Sequence, residues 1–276
     1  MHLHVEARGP EDGPLVVLLH GFPETGALAW RRQVGPLAAA GLRVLVPDQR
    51  GYGRSAKPPG IDAYRLDALA DDVLRLAGER RFSLVGHDWG GVVAWWLVLR
   101  NPERLERLAI LNAPHPALLA GYALRHPGQL LRSWYVLAFQ LPGLPEAAFR
   151  ARTYRLPMRA LTGTSRPGTF APADLRAYRA AWAQPGAVTA MLNWYRALRR
   201  RRPAPARRVA VPTLILWGDK DAFLQPGLAD AALALCDDGR LVRFPDATHW
   251  LQHEEAERVN RALVRFLREE DHGTLA

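Results

Sequence analysis

The hexapeptide Gly86-His87-Asp88-Trp89-Gly90-Gly91 constrains the fold more than any other part of this 276-residue chain. An apolar run, residues 82–85, comes directly before it, and a second apolar stretch, residues 92–97, comes directly after it. A strand, a tight turn and a helix are therefore predicted in that order. The small residues in the turn permit a strained backbone that exposes the side chain of Asp88.

This arrangement matches the pattern G-x-S-x-G, the nucleophile elbow of the α/β-hydrolase fold. Asp88 occupies the central position, where that pattern has serine. Serine at this place performs acyl transfer, whereas a carboxylate can attack an alkyl carbon and form an ester with the enzyme itself. The motif therefore predicts an α/β-hydrolase fold with a carboxylate nucleophile.

Short apolar runs alternate with amphipathic segments, which is typical of a mostly parallel sheet flanked by helices. Seven runs are predicted to be strands: Leu3–Glu6, Leu15–Leu19, Val44–Val46, Phe82–Val85, Leu108–Leu111, Thr213–Trp217 and Leu241–Arg243. Five segments are predicted to be helices: Trp30–Ala39, Leu66–Ala77, Gly91–Leu99, Gly227–Leu235 and Ala256–Leu267.

The pattern changes near residues 114–116, and strand-like sequence returns only at residues 211–216. The intervening sequence has helical periodicity and many aromatic residues. We expect a core domain of residues 1–115 and 209–276 and a helical cap of residues 116–208 inserted between two strands. Such a cap covers an active site and excludes water.

A candidate general base, His249, follows the last predicted strand and precedes the last predicted helix. The α/β-hydrolase fold places its base there, after the acid in chain order. His253 is the nearest alternative, but it would lie inside or at the start of the helix. His20 and His87 adjoin glycines near the predicted site, and we expect both to support it.

An acid is required to hold the imidazole in one tautomer and to stabilise its charged form. We expect Asp221, in the loop after the penultimate strand, to have this role, and Asp219 is the competing choice. Some related enzymes take the acid from a loop two strands earlier. That loop offers Asn112 here, which cannot be an anionic partner.

The segment His20-Gly21-Phe22-Pro23 follows a predicted strand and is also a tight turn. The backbone N–H of Phe22 can supply one half of an oxyanion hole. The other half is the N–H of Trp89, the residue after the nucleophile.

With these motifs in place, the chain closely resembles the soluble epoxide hydrolases of the α/β-hydrolase fold. The similarity runs nearly end to end and includes residues 20–24, 48–55 and 86–91 together with the Asp221 and His249 segments. It extends to Tyr135, five residues before Gln140, and to Tyr195 in the segment 192–196.

The resemblance implies that Tyr135 and Tyr195 donate hydrogen bonds to the epoxide oxygen. One difference is Ala138, where family members often carry another aromatic residue, which leaves room for a different pocket shape. By this resemblance Asp88 forms an alkyl ester, which water activated by His249 and Asp221 hydrolyses to a 1,2-diol. Small apolar epoxides and water are then the expected reactants.

No metal or organic cofactor is expected, because the sequence has neither a zinc-ligand cluster nor a phosphate-binding glycine loop. The aromatic residues of the cap suggest an apolar pocket, although each could equally form the core of the cap: Trp134, Phe139, Trp182 and Trp194.

Two other functions remain open. A dehalogenase uses the same carboxylate attack with a halide as leaving group, and the Trp89 indole could bind that halide. Haloalkane dehalogenases often have asparagine where this chain has Phe22, and fluoroacetate dehalogenases have arginine in place of Trp89. A non-catalytic binding protein with the same fold is the second alternative, because fold does not fix function.

Cys236 is the only cysteine, which excludes an internal disulfide and fits a reducing cytoplasm. The apolar run 15–19 is far too short to cross a bilayer, for which about 20 residues are needed. No charged segment precedes it and no small-residue cleavage site follows, so we expect a cytoplasmic protein without a signal peptide or a membrane partner.

The formal charge is +10, and 35 of the 37 basic residues are arginines. Because the arginines are spread over the whole chain, a coding bias is the favoured interpretation. The densest run is residues 199–202, followed by Arg207 and Arg208. Such a run can bind phosphate backbones. We expect instead a solvated helix end stopped by Pro203, and no nucleic-acid partner.

Overall fold

A computed structural model describes residues 1–200 and 207–269 of the chain. Arg201 and Arg202 of the arginine-rich run, and Pro203, the residue predicted to stop the helix, therefore lie outside the described residues. The described residues form one sheet, with strands β1 (Val5–Arg8), β2 (Leu15–Leu19), β3 (Arg43–Pro47), β4 (Phe82–His87), β5 (Leu105–Leu111), β6 (Thr213–Gly218) and β7 (Gly239–Phe244).

Helices precede and follow these strands. In the first part of the chain they are α1 (Gly26–Ala29), α2 (Val34–Ala39), α3 (Leu66–Ala77) and α4 (Trp89–Arg100). Between β5 and β6 they are α5 (Leu119–Arg125), α6 (Pro127–Arg132), α7 (Trp134–Ala138), α8 (Leu144–Thr164), α9 (Pro172–Trp182) and α10 (Ala187–Ala197). The last part contains α11 (Gly227–Leu233), α12 (Leu251–Glu254) and α13 (Ala256–Arg268).

The strand order across the sheet is β1-β3-β2-β4-β5-β6-β7. Only β1 is antiparallel to its neighbour, and the other pairs are parallel. The central strands β2, β4 and β6 are buried along their whole length, which explains their mostly apolar sequences. The expected mostly parallel α/β sheet is therefore present.

Side chains of each strand point alternately to the two faces of the sheet, and each face has its own core. Val17 and Leu19 of β2 pack in the cluster that contains residues of α3, α4 and α11. Val16 and Leu18 point the other way, into the cluster formed with α2 and α13. The sheet is thus covered by helices on both faces, and its loops are left to carry the site.

The prediction of one continuous helix over Trp30–Ala39 is wrong. Trp30 ends α1, and α2 begins only at Val34. Pro36 accounts for the break, because inside a longer helix its ring would clash with the carbonyl four residues earlier. It is tolerated in the first turn of α2, where the backbone N–H has no intrahelical partner.

The first strand also lies two residues later than predicted, at Val5–Arg8. Val5 pairs with Pro47, the last residue of β3, so the ladder with β3 begins there.

The helices α5–α10 belong to residues 116–208, which we call the helical insertion, and its described residues contain no strand. Helix α8 is interrupted at residues 151–154, where Arg152, Thr153 and Tyr154 have positive φ angles. No helix in the described ranges combines the length and the hydropathy that crossing a bilayer requires.

Candidate active site

Asp88 lies in the sharp turn between β4 and α4, with φ 50° and ψ −119°. A non-glycine residue with positive φ stores backbone strain of about 1–3 kcal/mol, and such residues are concentrated at functional sites. The strain is held by close packing, because a Cβ on Gly90 would lie 2.2 Å from the Leu19 carbonyl oxygen. A Cβ on Gly86 would lie 2.5 Å from the Gly90 carbonyl oxygen. The sequence therefore needs both glycines to form this turn.

The Asp88 carboxylate is held by a backbone N–H. Phe22 donates from its backbone nitrogen to Asp88 Oδ1 at 2.7 Å. Trp89 is the first residue of α4, and the N–H of a first helical residue has no intrahelical acceptor. The two N–H groups expected to form the oxyanion hole therefore lie on the two chain segments that flank Asp88.

His249 and Asp221 form a buried pair beside the nucleophile. His249 Nδ1 lies 2.7 Å from Asp221 Oδ2, and its Nε2 lies 3.6 Å from Asp88 Oδ2. The competing acid Asp219 points elsewhere and binds Arg243 at 2.6 Å. The structure thus brings together Asp88, His249 and Asp221, with the imidazole between the two carboxylates.

Asp221 is fully surrounded by hydrogen-bond donors. Its Oδ1 accepts from the backbone N–H groups of Phe223 at 2.7 Å and Leu224 at 3.0 Å. Its Oδ2 also accepts from Asn112 Nδ2 at 2.6 Å. Burial would raise the pKa of Asp221, but the charge of His249 and these hydrogen bonds outweigh burial and lower it. The carboxylate is therefore ionised beside the imidazole.

The pairing with Asp221 also changes the pKa of the His249 imidazole. Burial would lower the pKa of His249, but the Asp221 carboxylate, with a smaller contribution from Asp88, raises it to about 10. His249 is consequently protonated at neutral pH.

A cavity of about 490 Å³ opens above Asp88 and His249. Tyr135 of α7 and Tyr195 of α10 line the same cavity, and their ring centroids are 5.9 Å apart. Burial raises the pKa of both phenols above the usual value for tyrosine, and the Asp88 charge adds to the effect. Both phenols are therefore protonated hydrogen-bond donors at neutral pH.

The four aromatic residues of the insertion do not share one role. Trp134 and Phe139 line the cavity, whereas Trp182 and Trp194 are almost completely buried and are absent from its wall. Trp182 and Trp194 instead donate hydrogen bonds to backbone carbonyls of the core.

The volume and the lining residues of the cavity agree with a small-molecule site that is mostly apolar with a few polar groups.

Glu24 is the principal residue of this region that sequence reasoning missed. Its carboxylate is fully buried, with Oε1 2.8 Å from His253 Nε2 and 2.9 Å from Tyr178 Oη. Oε2 lies 3.2 Å from His87 Nδ1. Burial would raise the pKa of Glu24, but His253 and His87 outweigh it and lower the pKa. Only its neighbourhood in the sequence, beside Phe22, could have indicated a role near the site.

The supporting histidines have specific partners. His87 donates from Nε2 to the backbone carbonyl of His249 at 2.8 Å, which fixes the loop that carries the base. His20 Nε2 accepts from the Gln49 backbone N–H at 3.0 Å. His253, the alternative base, is buried in α12 and binds Glu24. It therefore belongs to the support of the site.

The helical insertion is hydrogen-bonded to the loops that carry the site. Trp182 donates from its indole nitrogen to the Pro23 carbonyl at 2.7 Å, and Trp194 donates to the Arg50 carbonyl at 3.0 Å. Arg132, which sequence reasoning did not select, lines the cavity and donates to the Asp221 carbonyl at 2.5 Å. These bonds fix Tyr135 and Tyr195 relative to the nucleophile.

Comparison with known proteins agrees with this architecture. A family model described as alpha/beta hydrolase fold matches residues 14–256. The AB hydrolase superfamily protein YfhM of Bacillus subtilis is 45% identical, over 96% of this chain and 94% of its own length. Epoxide hydrolase 4 of Mus musculus is 37% identical, over 98% of this chain and 77% of its own length. This chain belongs to the epoxide hydrolase family of the α/β-hydrolase fold.

Structural similarity supports the same family. A solved structure described among novel epoxide hydrolases from metagenomes of hot environments superposes with a TM-score of 0.87. It is 33% identical and covers 98% of this chain and 95% of its own. The predicted fold class and the resemblance to epoxide hydrolases are thereby confirmed. The described residues of this family member contain no cluster of His, Cys, Asp or Glu that could hold a metal ion.

Proposed function

We propose that this protein hydrolyses small apolar epoxides to 1,2-diols through a covalent ester on Asp88. One observation carries the proposal. The Asp88 carboxylate, whose Oδ2 lies 3.6 Å from His249 Nε2, lines a cavity of about 490 Å³ together with two protonated phenols, Tyr135 and Tyr195. The relatives named epoxide hydrolases support the same reaction.

In the first step, one Asp88 oxygen attacks an epoxide carbon, and the carbon–oxygen bond of the ring breaks. The leaving oxygen develops negative charge, which the O–H groups of Tyr135 and Tyr195 stabilise, and it takes a proton from one of them. The product of this step is an alkyl ester of Asp88.

In the second step, His249 takes a proton from water, and the water oxygen attacks the carbonyl carbon of the ester. The N–H groups of Phe22 and Trp89 stabilise the oxyanion. The acyl–oxygen bond then breaks, and the leaving alkoxide takes from His249 the proton that His249 removed from water, which releases the diol. The proton of the regenerated carboxyl group passes to the imidazole, and one oxygen of the carboxylate comes from water.

Ester formation itself prepares His249 for the second step. The charge of Asp88 contributes to the raised pKa of His249, and the ester removes that charge. The pKa of His249 therefore falls when the ester forms, and the imidazole gives its proton to the tyrosine that lost one in the first step. The neutral imidazole can then act as the base.

Residues 116–208 act in this proposal as a cap over a core domain of residues 1–115 and 209–276. The hydrogen bonds from Trp182 to Pro23 and from Arg132 to Asp221 support this division of roles. The residues of the site suffice for the chemistry without a cofactor. A cytoplasmic location is proposed as well, on the single buried cysteine, Cys236.

The dehalogenase alternative is less well supported. Trp89, its proposed halide donor, packs edge-on against Tyr195 with ring centroids 4.9 Å apart. It is absent from the lining of the cavity, whereas both tyrosines line it.

A labelling experiment tests the mechanism. In a single turnover of a simple aryl epoxide in H₂¹⁸O, the label is expected in Asp88 and not in the diol. His249→Gln is expected to accumulate the ester, visible by intact mass, and Asp88→Asn is expected to form none. Label in the diol during the first turnover would show direct attack by water. Halide release without diol formation would favour dehalogenation, and ligand binding unchanged in Asp88→Ala without turnover would favour a binding protein.

A further inference from the structure

The formal charge of the chain is divided unequally between its two parts. Residues 116–208 contain 16 arginines and two acidic residues, a charge of +14. The remaining residues contain 21 basic and 25 acidic residues, a charge of −4. Arginines do occur throughout the chain, but acidic residues are almost absent from the helical insertion. A coding bias toward arginine alone does not explain that absence.

Both acidic residues of the insertion are already paired. Glu146 binds Arg196 at 2.6 Å, and Asp174 binds Arg31 of the core at 2.9 Å. Exposed arginines of α5 and α8 have no ion-pair partner within the described part of the chain, namely Arg125, Arg152, Arg155 and Arg159. The insertion therefore presents uncompensated positive charge to solvent.

The same segment carries the exposed apolar side chains. Apart from Met1, every large hydrophobic residue that is strongly exposed in the described ranges lies between positions 124 and 156, with 49% to 80% of its surface accessible. We call six of them the apolar patch: Leu124, Leu130, Leu131, Trp134, Leu137 and Leu156. A cluster of this kind on a monomer marks an interaction surface.

Half of the apolar patch belongs to the wall of the cavity. Leu131, Trp134 and Leu156 are more than half exposed and also line the cavity above Asp88. Leu156 follows Arg155 on α8, and both residues are exposed, so an unpaired arginine stands beside a leucine of the cavity wall.

We propose that the helical insertion binds the surface of an anionic lipid bilayer, with the cavity entrance facing the lipid. Leucine and tryptophan side chains enter the boundary between headgroups and acyl chains, while arginines bind lipid phosphates. In this proposal the protein lies on the bilayer surface and does not cross it, which is compatible with the lack of a membrane-spanning helix in the described ranges. The proposal departs from the sequence-based expectation of no membrane partner.

Other occupants fit the surface less well. A second copy of the chain, bound through the same surface, would place two insertions with a formal charge of +14 each against one another. A nucleic acid would neutralise the arginines and leave the leucines in water. Surface binding does not depend on the proposed function, but its use does, because apolar epoxides dissolve in the bilayer and would enter the cavity from there.

Vesicle cosedimentation tests the proposal without any epoxide. The full chain is mixed with vesicles of phosphatidylcholine or of equimolar phosphatidylcholine and phosphatidylglycerol. Binding is expected only to the anionic vesicles and is expected to weaken with salt. Arg155→Gln/Arg159→Gln is expected to weaken it about fivefold per arginine. Leu124→Gln/Leu137→Gln, at positions that do not line the cavity, is expected to weaken it about tenfold.

The matched control is Arg261→Gln/Arg265→Gln, which removes the same charge from exposed positions of α13 in the core. It is expected to bind vesicles like the wild type. The proposal is overturned if the wild type does not cosediment with vesicles, or if the control and insertion variants lose vesicle binding equally. It is also overturned if the protein binds duplex DNA but no vesicles and the leucine variants still bind the DNA. Self-association abolished by the leucine variants, without vesicle binding, would assign the patch to a second copy. Circular dichroism verifies that each variant is folded.

Discussion

Asn112 and His249 bind the same carboxylate oxygen, Oδ2 of Asp221, at 2.6 and 2.7 Å. Asn112 also accepts from the Gly218 backbone N–H at 2.7 Å, so it joins the end of β5 to the end of β6. The residue that cannot be the acid therefore orients the acid. This relationship explains why the loop after β5, the strand next to β6, still contributes to the site.

Asn112→Ala is expected to lower the free energy of unfolding by about 1.5–3 kcal/mol, because it removes a hydrogen bond to a buried charge. It also leaves the Gly218 N–H without its acceptor. Ester hydrolysis should slow more than ester formation, which rapid-quench kinetics with intact-mass detection would measure. Asn101→Ala, at a partly exposed position, is the control and should change stability by less than about 0.5 kcal/mol. Equal stability in the two variants would contradict this role.

The pairing of His249 predicts a pH dependence of stability. Its pKa is raised to about 10 in the folded protein, so its contribution is complete below pH 6.5 and is lost as the pH rises towards 10. The contribution of Asp221 to stability depends on pH in the opposite direction. Its pKa is lowered in the folded protein, so that contribution is lost only as the pH falls through the lowered pKa. Urea unfolding between pH 6.5 and 10 should show falling stability in the wild type. The decline should be smaller in His249→Gln, and an unchanged slope would exclude the histidine as its source.

The charge of Asp88 should be visible in the titration of His249. Asp88→Asn removes one of the carboxylates that raise the pKa of His249, so that pKa is expected to fall. NMR titration of the His249 ring protons would measure the change. A pKa that stays the same, or rises, would show that ester formation does not prepare the base.

Tyr135→Phe and Tyr195→Phe are each expected to slow ring opening by about a hundredfold to a thousandfold, because each removes a donor to the developing alkoxide. Hydrolysis of a preformed ester should be nearly unchanged. Tyr154→Phe is the matched control, since Tyr154 belongs to the same insertion but is absent from the cavity wall. Single-turnover kinetics would separate the two steps, and a defect confined to hydrolysis would refute the assignment.

Two glycine substitutions should have opposite effects on stability. Gly90→Ala places a methyl group 2.2 Å from the Leu19 carbonyl oxygen and is expected to cost several kcal/mol or prevent folding. Gly35→Ala lies in α2, where an added Cβ meets nothing within 4 Å. It is expected to stabilise the protein by about 0.5–1 kcal/mol. Thermal unfolding of both variants would measure this, and comparable stability would show that the turn at Asp88 tolerates a side chain.

The sheet could be predicted because parallel strands buried on both faces leave unbroken apolar runs, as in Leu15–Leu19. The turn at Asp88 and the loop position of His249 also followed from local pattern. The break before α2 was missed because apolar periodicity outweighed the presence of Pro36. Glu24 was missed for a different reason. Its partners Tyr178 and His253 are distant in sequence, so a buried carboxylate there looks like any acidic residue near a turn.

The hydrogen bonds from Trp182 to Pro23 and from Arg132 to Asp221 limit how the insertion can move. Lifting it would release the loops that position Phe22 and Asp221, and the catalytic geometry would be lost with it. We therefore expect reactants to enter past Leu131, Trp134 and Leu156, the exposed residues of the cavity wall, while the site stays assembled. The spacing of these three side chains, rather than a lid motion, is then expected to limit how bulky a substrate can be and how fast the product leaves.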